Sequence, residues 1–145
     1  MNDIKFTYND EDGIVTCTLL NKDGIEFIGT ALCHLDDMDM YNHRTGEDIS
    51  FKRAENKAFR YYISNYLNPQ IKILTSLYKN MSGHPRFDAF SFEAEFVSNQ
   101  IYQLQKEKRR IKGCIQTNYD SLKTYINAKE QVYKAIRKQR KAKSQ

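Results

Sequence analysis

Val97, Ile101, Leu104, Lys108, Ile111, Ile115, Asn118, Leu122, Tyr125, Lys129, Val132 and Ile136 follow one another at alternating steps of four and three. All but Lys108, Asn118 and Lys129 are apolar, and the phase never slips. A stripe of this period is the narrow seam along which one helix meets another. No proline interrupts it, and Gly113 is its one weak point, costing about 1 kcal/mol relative to alanine in a helix interior. A helix of about 45 residues at 1.5 Å per residue would span roughly 65 Å, more than a small domain can cover at both ends. The stripe therefore either folds back as a hairpin near Cys114–Asn118 or packs on another subunit. Its unbroken phase favours a long helix, and Asn118 on the seam is suited to fixing register, as a single buried Asn does in coiled coils.

The chain before this seam reads differently. Ile4, Phe6 and Tyr8 alternate with Lys5 and Thr7, the period of a strand with one buried face. The stretch from Asn9 to Gly13 is a turn, with Gly13 free to take positive φ. Residues 14–20 are β-branched and apolar, Asn21-Lys22-Asp23-Gly24 is a second turn, and residues 25–34 form a third strand. A three-stranded antiparallel meander is expected, and so small a sheet needs a helix on its apolar face. His34 to Gly46 is expected to be loop. From Glu47 to Leu67 the apolar positions Phe51, Ala58, Phe59, Tyr62, Ile63 and Tyr66 have helical spacing, with Lys52, Arg53, Asn56 and Arg60 on a polar face. Asn68-Pro69 disfavours helix at Asn68 and should kink or split the segment. Ile71, Leu74 and Tyr78 resume it until Ser82-Gly83-His84-Pro85. The expected fold is α+β: a small N-terminal antiparallel sheet, a covering helix and long C-terminal helices that oligomerise. The layout is a single domain over 1–145, with meander and acidic loop at 1–46, a helix pair at 47–82, long C-terminal helices at 86–140 and a basic tail at 141–145. That tail, the end of a run through Lys134, Arg137, Lys138 and Arg140, is expected to fray.

Composition narrows the functional classes. No run of 18 apolar residues exists, so no membrane span is expected. The acidic N-terminus lacks an apolar h-region, so no signal peptide is expected. Cys17, Cys33 and Cys114 are odd in number and widely spaced, which reads as reduced thiols in a cytoplasm. Cys33-His34 followed by Asp36, Asp37 and Asp39 offers metal-ligand types, but a zinc site needs a second ligand cluster that is missing. His43 and His84 fall in expected loops, where no second element offers a partner. No nucleophile elbow, metalloprotease helix, phosphate-binding loop or dinucleotide fingerprint is present. No enzymatic activity, metal or cofactor is expected.

The clearest functional feature is cationic. Lys106, Lys108, Arg109, Arg110 and Lys112 cluster on the long helix. Guanidinium forks bind phosphate bidentately and stack on rings. Phe87, Phe90 and Phe92, with Asn99, precede them, so a ring, an amide and two arginines could hold a nucleotide. A solvated helix face beside core aromatics is the competing reading.

Gly29-Thr30-Ala31-Leu32-Cys33-His34-Leu35-Asp36-Asp37-Met38-Asp39, then Thr45-Gly46 and Arg53-Ala54, resembles a pattern of small phage proteins. It is similar to the Thoeris anti-defence proteins of the first type, with Leu35 where that pattern has proline. The resemblance implies a phage-encoded sponge that sequesters glycocyclic ADP-ribose, the signal made by TIR-domain defence enzymes. Some such proteins also bind cyclic oligonucleotides at separate pockets. It implies an N-terminal sheet, long C-terminal helices, and dimers that assemble into hexamers in the host bacterial cytoplasm. It further implies a pocket between subunits lined by arginines and an aromatic ring. By position, Arg109 or Arg110 and one of Phe87, Phe90 and Phe92 resemble that set, with Arg60 a further candidate. The rival readings are a nucleic-acid-binding phage protein and a coiled-coil protein that inhibits a host factor.

Overall fold

The computed structural model describes residues 3–33, 41–84 and 91–144. Three strands, β1 (Asp3–Asn9), β2 (Ile14–Leu20) and β3 (Glu26–Leu32), form an antiparallel meander in that order. Helix α1 (His43–Tyr62) runs into a π-helical stretch (Ile63–Leu67), followed by α2 (Asn68–Ser82) and α3 (Ser91–Lys143). The fold is α+β, as the sequence predicts. No helix among the described residues is long and apolar enough to cross a membrane. The residues fall into two compact units: one formed from 1–58 and 116–145, the other from Phe59–Ile115.

In the sheet unit, both turns use glycine at positive φ, 66° at Gly13 and 80° at Gly24. The Asn21 side chain organises the second turn by accepting the N–H groups of Asp23 and Ile25, each at 2.9 Å. Val15, Cys17 and Leu19 of β2 pair with Ala31, Gly29 and Phe27 of β3, and all are buried. Helix α1 lies on this face at backbone distance. A methyl at Gly29 would sit 2.1 Å from the Ser50 carbonyl oxygen and 2.5 Å from the Ala54 nitrogen. One at Gly46 would sit 2.4 Å from a Val15 methyl. Glycine at both positions and alanine at 54 let helix and sheet approach this closely.

Helix α1 begins earlier than expected, at His43 rather than Glu47. The cause is Asn42, whose Oδ1 accepts the N–H of Arg44 at 2.9 Å and of Thr45 at 3.4 Å, the action of an N-cap. The C-terminal part of α3 completes this unit. Leu122 packs with Ala31 and Ile49, and Tyr125 packs against them. Asn118 donates to Glu55 at 2.9 Å and to the buried Asn56 at 2.8 Å, Lys52 donates to Ser121 at 2.9 Å, and Tyr125 donates to Thr45.

In the other unit, Ile63, Leu67 and Ile111 form the core, joined by Phe59, Leu104 and Ile115. The helix does not break at Asn68, which keeps α-helical angles of −61° and −45°. Instead the Asn68 N–H bonds to the Ile63 carbonyl, a π-type step just before Pro69. Pro69 then occupies the first turn of α2, where its missing N–H costs little. The C-terminal segment is one helix of 53 residues, not several, and its basic end stays helical through Lys143. Seam positions from Val97 to Lys129 are buried or half-buried, as the period predicts. Those whose packing is defined here (Leu104, Ile111, Ile115, Asn118, Leu122 and Tyr125) meet α1, the π-helical stretch or β3 of the same chain.

Candidate functional site

An open groove of about 570 Å³ lies in the sheet unit. Ala31 and Leu32 at the end of β3 and Ile49 of α1 give it an apolar floor, and Arg53 stands at its side. The opposite wall is a single face of α3. Ile126, Lys129, Tyr133 and Arg137 line it at steps of three and four, with Glu130 and Lys134 beside them. Arg53, Lys129, Lys134 and Arg137 thus face one carboxylate, Glu130.

Two of these cations are held in place. Arg53 Nη1 donates to the Thr30 carbonyl at 2.6 Å, which anchors the guanidinium at the edge of β3. Lys129 Nζ lies 5.5 Å from the centre of the Tyr125 ring, and burial holds its amine below the usual lysine range. A half-buried amine over a ring face is an anion-seeking group already partly desolvated. The groove therefore combines positive charge, an apolar floor and a tyrosine ring. Such a set suits a ligand with phosphate at one end and a flat apolar body at the other.

A second cluster lies at the start of α1. The Tyr8 ring stacks on His43 with centroids 4.2 Å apart, and Tyr41 meets His43 edge-on at 5.4 Å. His43 Nε2 is 2.5 Å from Asp10 Oδ1, and Tyr8 donates its hydroxyl to Glu47. That bond raises the Tyr8 pKa, and the bond to His43 holds Asp10 below the usual carboxylate range. His43 is therefore helical and partnered, not a loop residue without a partner. The cluster ties β1 and the first turn to α1.

The site residues expected from the sequence lie in the Phe59–Ile115 unit, apart from two. Phe87 and Phe90 lie outside the described residues, as does the acidic segment after Cys33 with His34. Arg60 is exposed in the last turn of α1, and Asn99 and Arg109 are exposed on α3. Phe92 is 80% exposed. Arg110 donates to Glu107 through Nε at 3.0 Å and Nη2 at 2.6 Å, which raises the arginine pKa and lowers that of the carboxylate. None of these residues lines the groove. Among the described residues no group of three or more His, Cys, Asp and Glu side chains is placed to hold a metal ion.

In the sequence the groove residues were scattered over the third strand, the polar face of the covering helix and the basic end of the long helix, with nothing to join them. The available signal was Lys129, Tyr133 and Arg137 at steps of four, which share one face along the last turns of the seam helix. The residues shared with the phage pattern have a packing role: Gly29, Ala31, Gly46 and Ala54 are buried between sheet and α1, and Cys33 is buried just beyond β3. Comparisons with models of known protein families, with curated proteins and with solved structures find no match for this chain.

Proposed function

We propose that the protein binds and sequesters a phosphate-bearing nucleotide signal of the cyclic ADP-ribose type without converting it, acting in the cytoplasm of a bacterial host against a TIR-dependent defence. The observation that carries this reading is the cationic groove, in which four basic side chains face one acid over an apolar floor. Its volume of about 570 Å³ falls within the range of roughly 300–1,000 Å³ usual for small-molecule pockets. Phosphates engage the cations, and the Tyr133 ring offers a face for a base. The resemblance to the Thoeris anti-defence proteins supplies the class of signal. It also keeps Arg109 and Arg110 as a second candidate set, one that a further subunit would complete.

The test is titration calorimetry of a cyclic ADP-ribose isomer against three proteins: wild type, a Lys134→Ala/Arg137→Ala variant and an Arg109→Ala/Arg110→Ala variant. Each charge-assisted bond to phosphate contributes about 1.5–3 kcal/mol. Loss of the first pair should therefore weaken binding by about a hundredfold or more, since each 1.4 kcal/mol is tenfold. Helicity should persist, because alanine favours helix. A loss confined to the Arg109/Arg110 variant would move the ligand to that set. No binding by wild type, together with tight binding of DNA or RNA that falls steeply with salt, would favour the nucleic-acid reading.

A further inference from the structure

The lysines of the sheet unit differ in what holds them. Lys52 pairs with Asp48 at 2.8 Å and donates to Ser121, and Lys57 donates to the Ile28 carbonyl at 2.6 Å. Lys129 has no such partner. Among the described residues no carboxylate pairs with its amine, and its defined contact is with the face of the Tyr125 ring. It borders the groove and also a small cavity of about 20 Å³, whose walls include the buried Val15, Ala31, Cys33 and Ile49. Apolar surroundings and neighbouring cations, here Arg53, Lys134 and Arg137, both favour the neutral form of an amine. The neutral amine is the nucleophile, and a desolvated lysine beside cations is the usual setting for attack on a carbonyl.

The same face of α3 sets out the rest of a site in order. Tyr133 and Arg137 follow Lys129 at steps of four, which places them about 6 and 12 Å further along the helix axis. Side chains on a helix lean toward its N-terminus, so the Arg137 fork reaches back toward Tyr133. A ligand lying along this face meets an amine, then a ring, then a guanidinium, over the apolar floor of Ala31, Leu32 and Ile49. A molecule with a carbonyl at one end, a flat or apolar body and a phosphate at the other presents complementary groups in that order.

We infer that the groove captures phosphorylated aldehydes, open-chain reducing sugar phosphates included, through a reversible imine between the carbonyl carbon and the Lys129 amine. The nitrogen adds to the carbonyl carbon. Both amine protons then leave with the carbonyl oxygen as one water, and a C=N bond replaces the C=O bond. No oxidant or reductant is needed, and water reverses the step. The phosphate, held by Lys134 and Arg137, keeps the carbonyl beside the amine and so raises its effective concentration. The inference rests on the reading of the groove as a phosphate site. It goes beyond that reading, because a cyclic ADP-ribose isomer has no free aldehyde and binds without this bond.

The probe is pyridoxal 5′-phosphate, a flat aldehyde with one phosphate, and the control is pyridoxal, which lacks the phosphate. Each is incubated at limiting concentration with the full chain. Borohydride then reduces any imine to a stable secondary amine, and peptide mass spectrometry locates it. The phosphorylated probe should mark Lys129 ahead of the fourteen other lysines, and pyridoxal should show no such preference. Lys129→Arg should abolish the preferred mark, because a guanidinium stays protonated, with circular dichroism as the folding control. Lys134→Ala/Arg137→Ala should weaken it by about a hundredfold or more, since two charge-assisted bonds to phosphate are lost. Marking spread over the surface lysines, or marking of Lys129 as strong with pyridoxal or in the double variant, would overturn the inference. Calorimetry with the cyclic ADP-ribose isomer separates the two claims. Binding there without a Lys129 adduct would sink the imine alone, whereas an adduct without such binding would keep the imine and sink the cyclic nucleotide.

Discussion

In the sheet unit, α1 meets β3 with backbone almost against backbone, at Gly29 beside Ser50 and Ala54. In the Phe59–Ile115 unit, helix meets helix through the side chains of Ile63, Leu67 and Ile111. The first contact is fixed by small residues, and polar pairs of defined geometry then join α1 to α3, Asn118 with Asn56 and Lys52 with Ser121. The second depends on volume and area. Contacts of the first kind allow one register and tolerate no added atom, whereas contacts of the second kind tolerate changes of shape but not loss of bulk. The candidate groove belongs to the more exactingly specified unit, where Arg53 and Lys129 are held by neighbours that cannot slide.

The largest effect should come from removing bulk where volume is the only glue. Leu67 is 1% exposed and sits between Ile63 and Ile111. Leu67→Ala should lower stability by about 2–5 kcal/mol, the usual cost of such a cavity. Urea unfolding followed by circular dichroism gives the number. A loss under about 1 kcal/mol would mean that the unit collapses around the gap, and that the contrast in packing is overstated.

Adding a single methyl should separate the two units by sign. Gly29→Ala drives a carbon into the Ser50 carbonyl and the Ala54 nitrogen, both backbone, so α1 must lift from the sheet. A cost of about 1–3 kcal/mol follows from overpacking. Gly113→Ala meets nothing within 4 Å and replaces the poorest ordinary helix former inside α3. It should stabilise by about 0.5–1 kcal/mol. Both values come from the same unfolding experiment. If the two variants shifted stability in the same direction, close approach at Gly29 would not be what positions α1.

These contrasts also mark how much the sequence could show. The heptad period revealed the buried stripe of α3, because burial of one face leaves a period whatever covers it. It could not reveal the cover, which includes α1 and β3, elements distant in sequence. Gly46 looked like a loop marker, since glycine has poor helix propensity. It is glycine because Val15 occupies the space of its side chain. Asn42 looked like one more polar loop residue, and its role as N-cap depends on where the helix begins. Asn68-Pro69 looked like a break, but a π-type turn absorbed the proline without one. The strands and turns were legible because alternation and Asp-Gly are local signals. The groove was not, because Arg53 and Arg137 come together only through the tertiary fold.

The smallest predicted effect concerns a contact found only in the sheet unit. Asp10 in the turn after β1 lies 2.5 Å from His43 at the start of α1. That bond holds the Asp10 pKa below its usual value. A carboxylate whose pKa is lower folded than unfolded stabilises the fold above the unfolded value of about 3.9 and ceases to do so as pH falls through the folded value. Asp10→Asn keeps the shape and removes the titration. The melting temperature of wild type should therefore exceed that of Asp10→Asn at pH 6. The gap should be present down to about pH 4 and close below it. Because both side chains are largely exposed, salt should narrow the gap at pH 6. A gap that widened below about pH 4 would mean that protonated Asp10 is the better partner for His43. In that case the clamp on α1 would work by hydrogen bonding alone, and the sheet unit would owe its fixed register to its buried contacts rather than to charge.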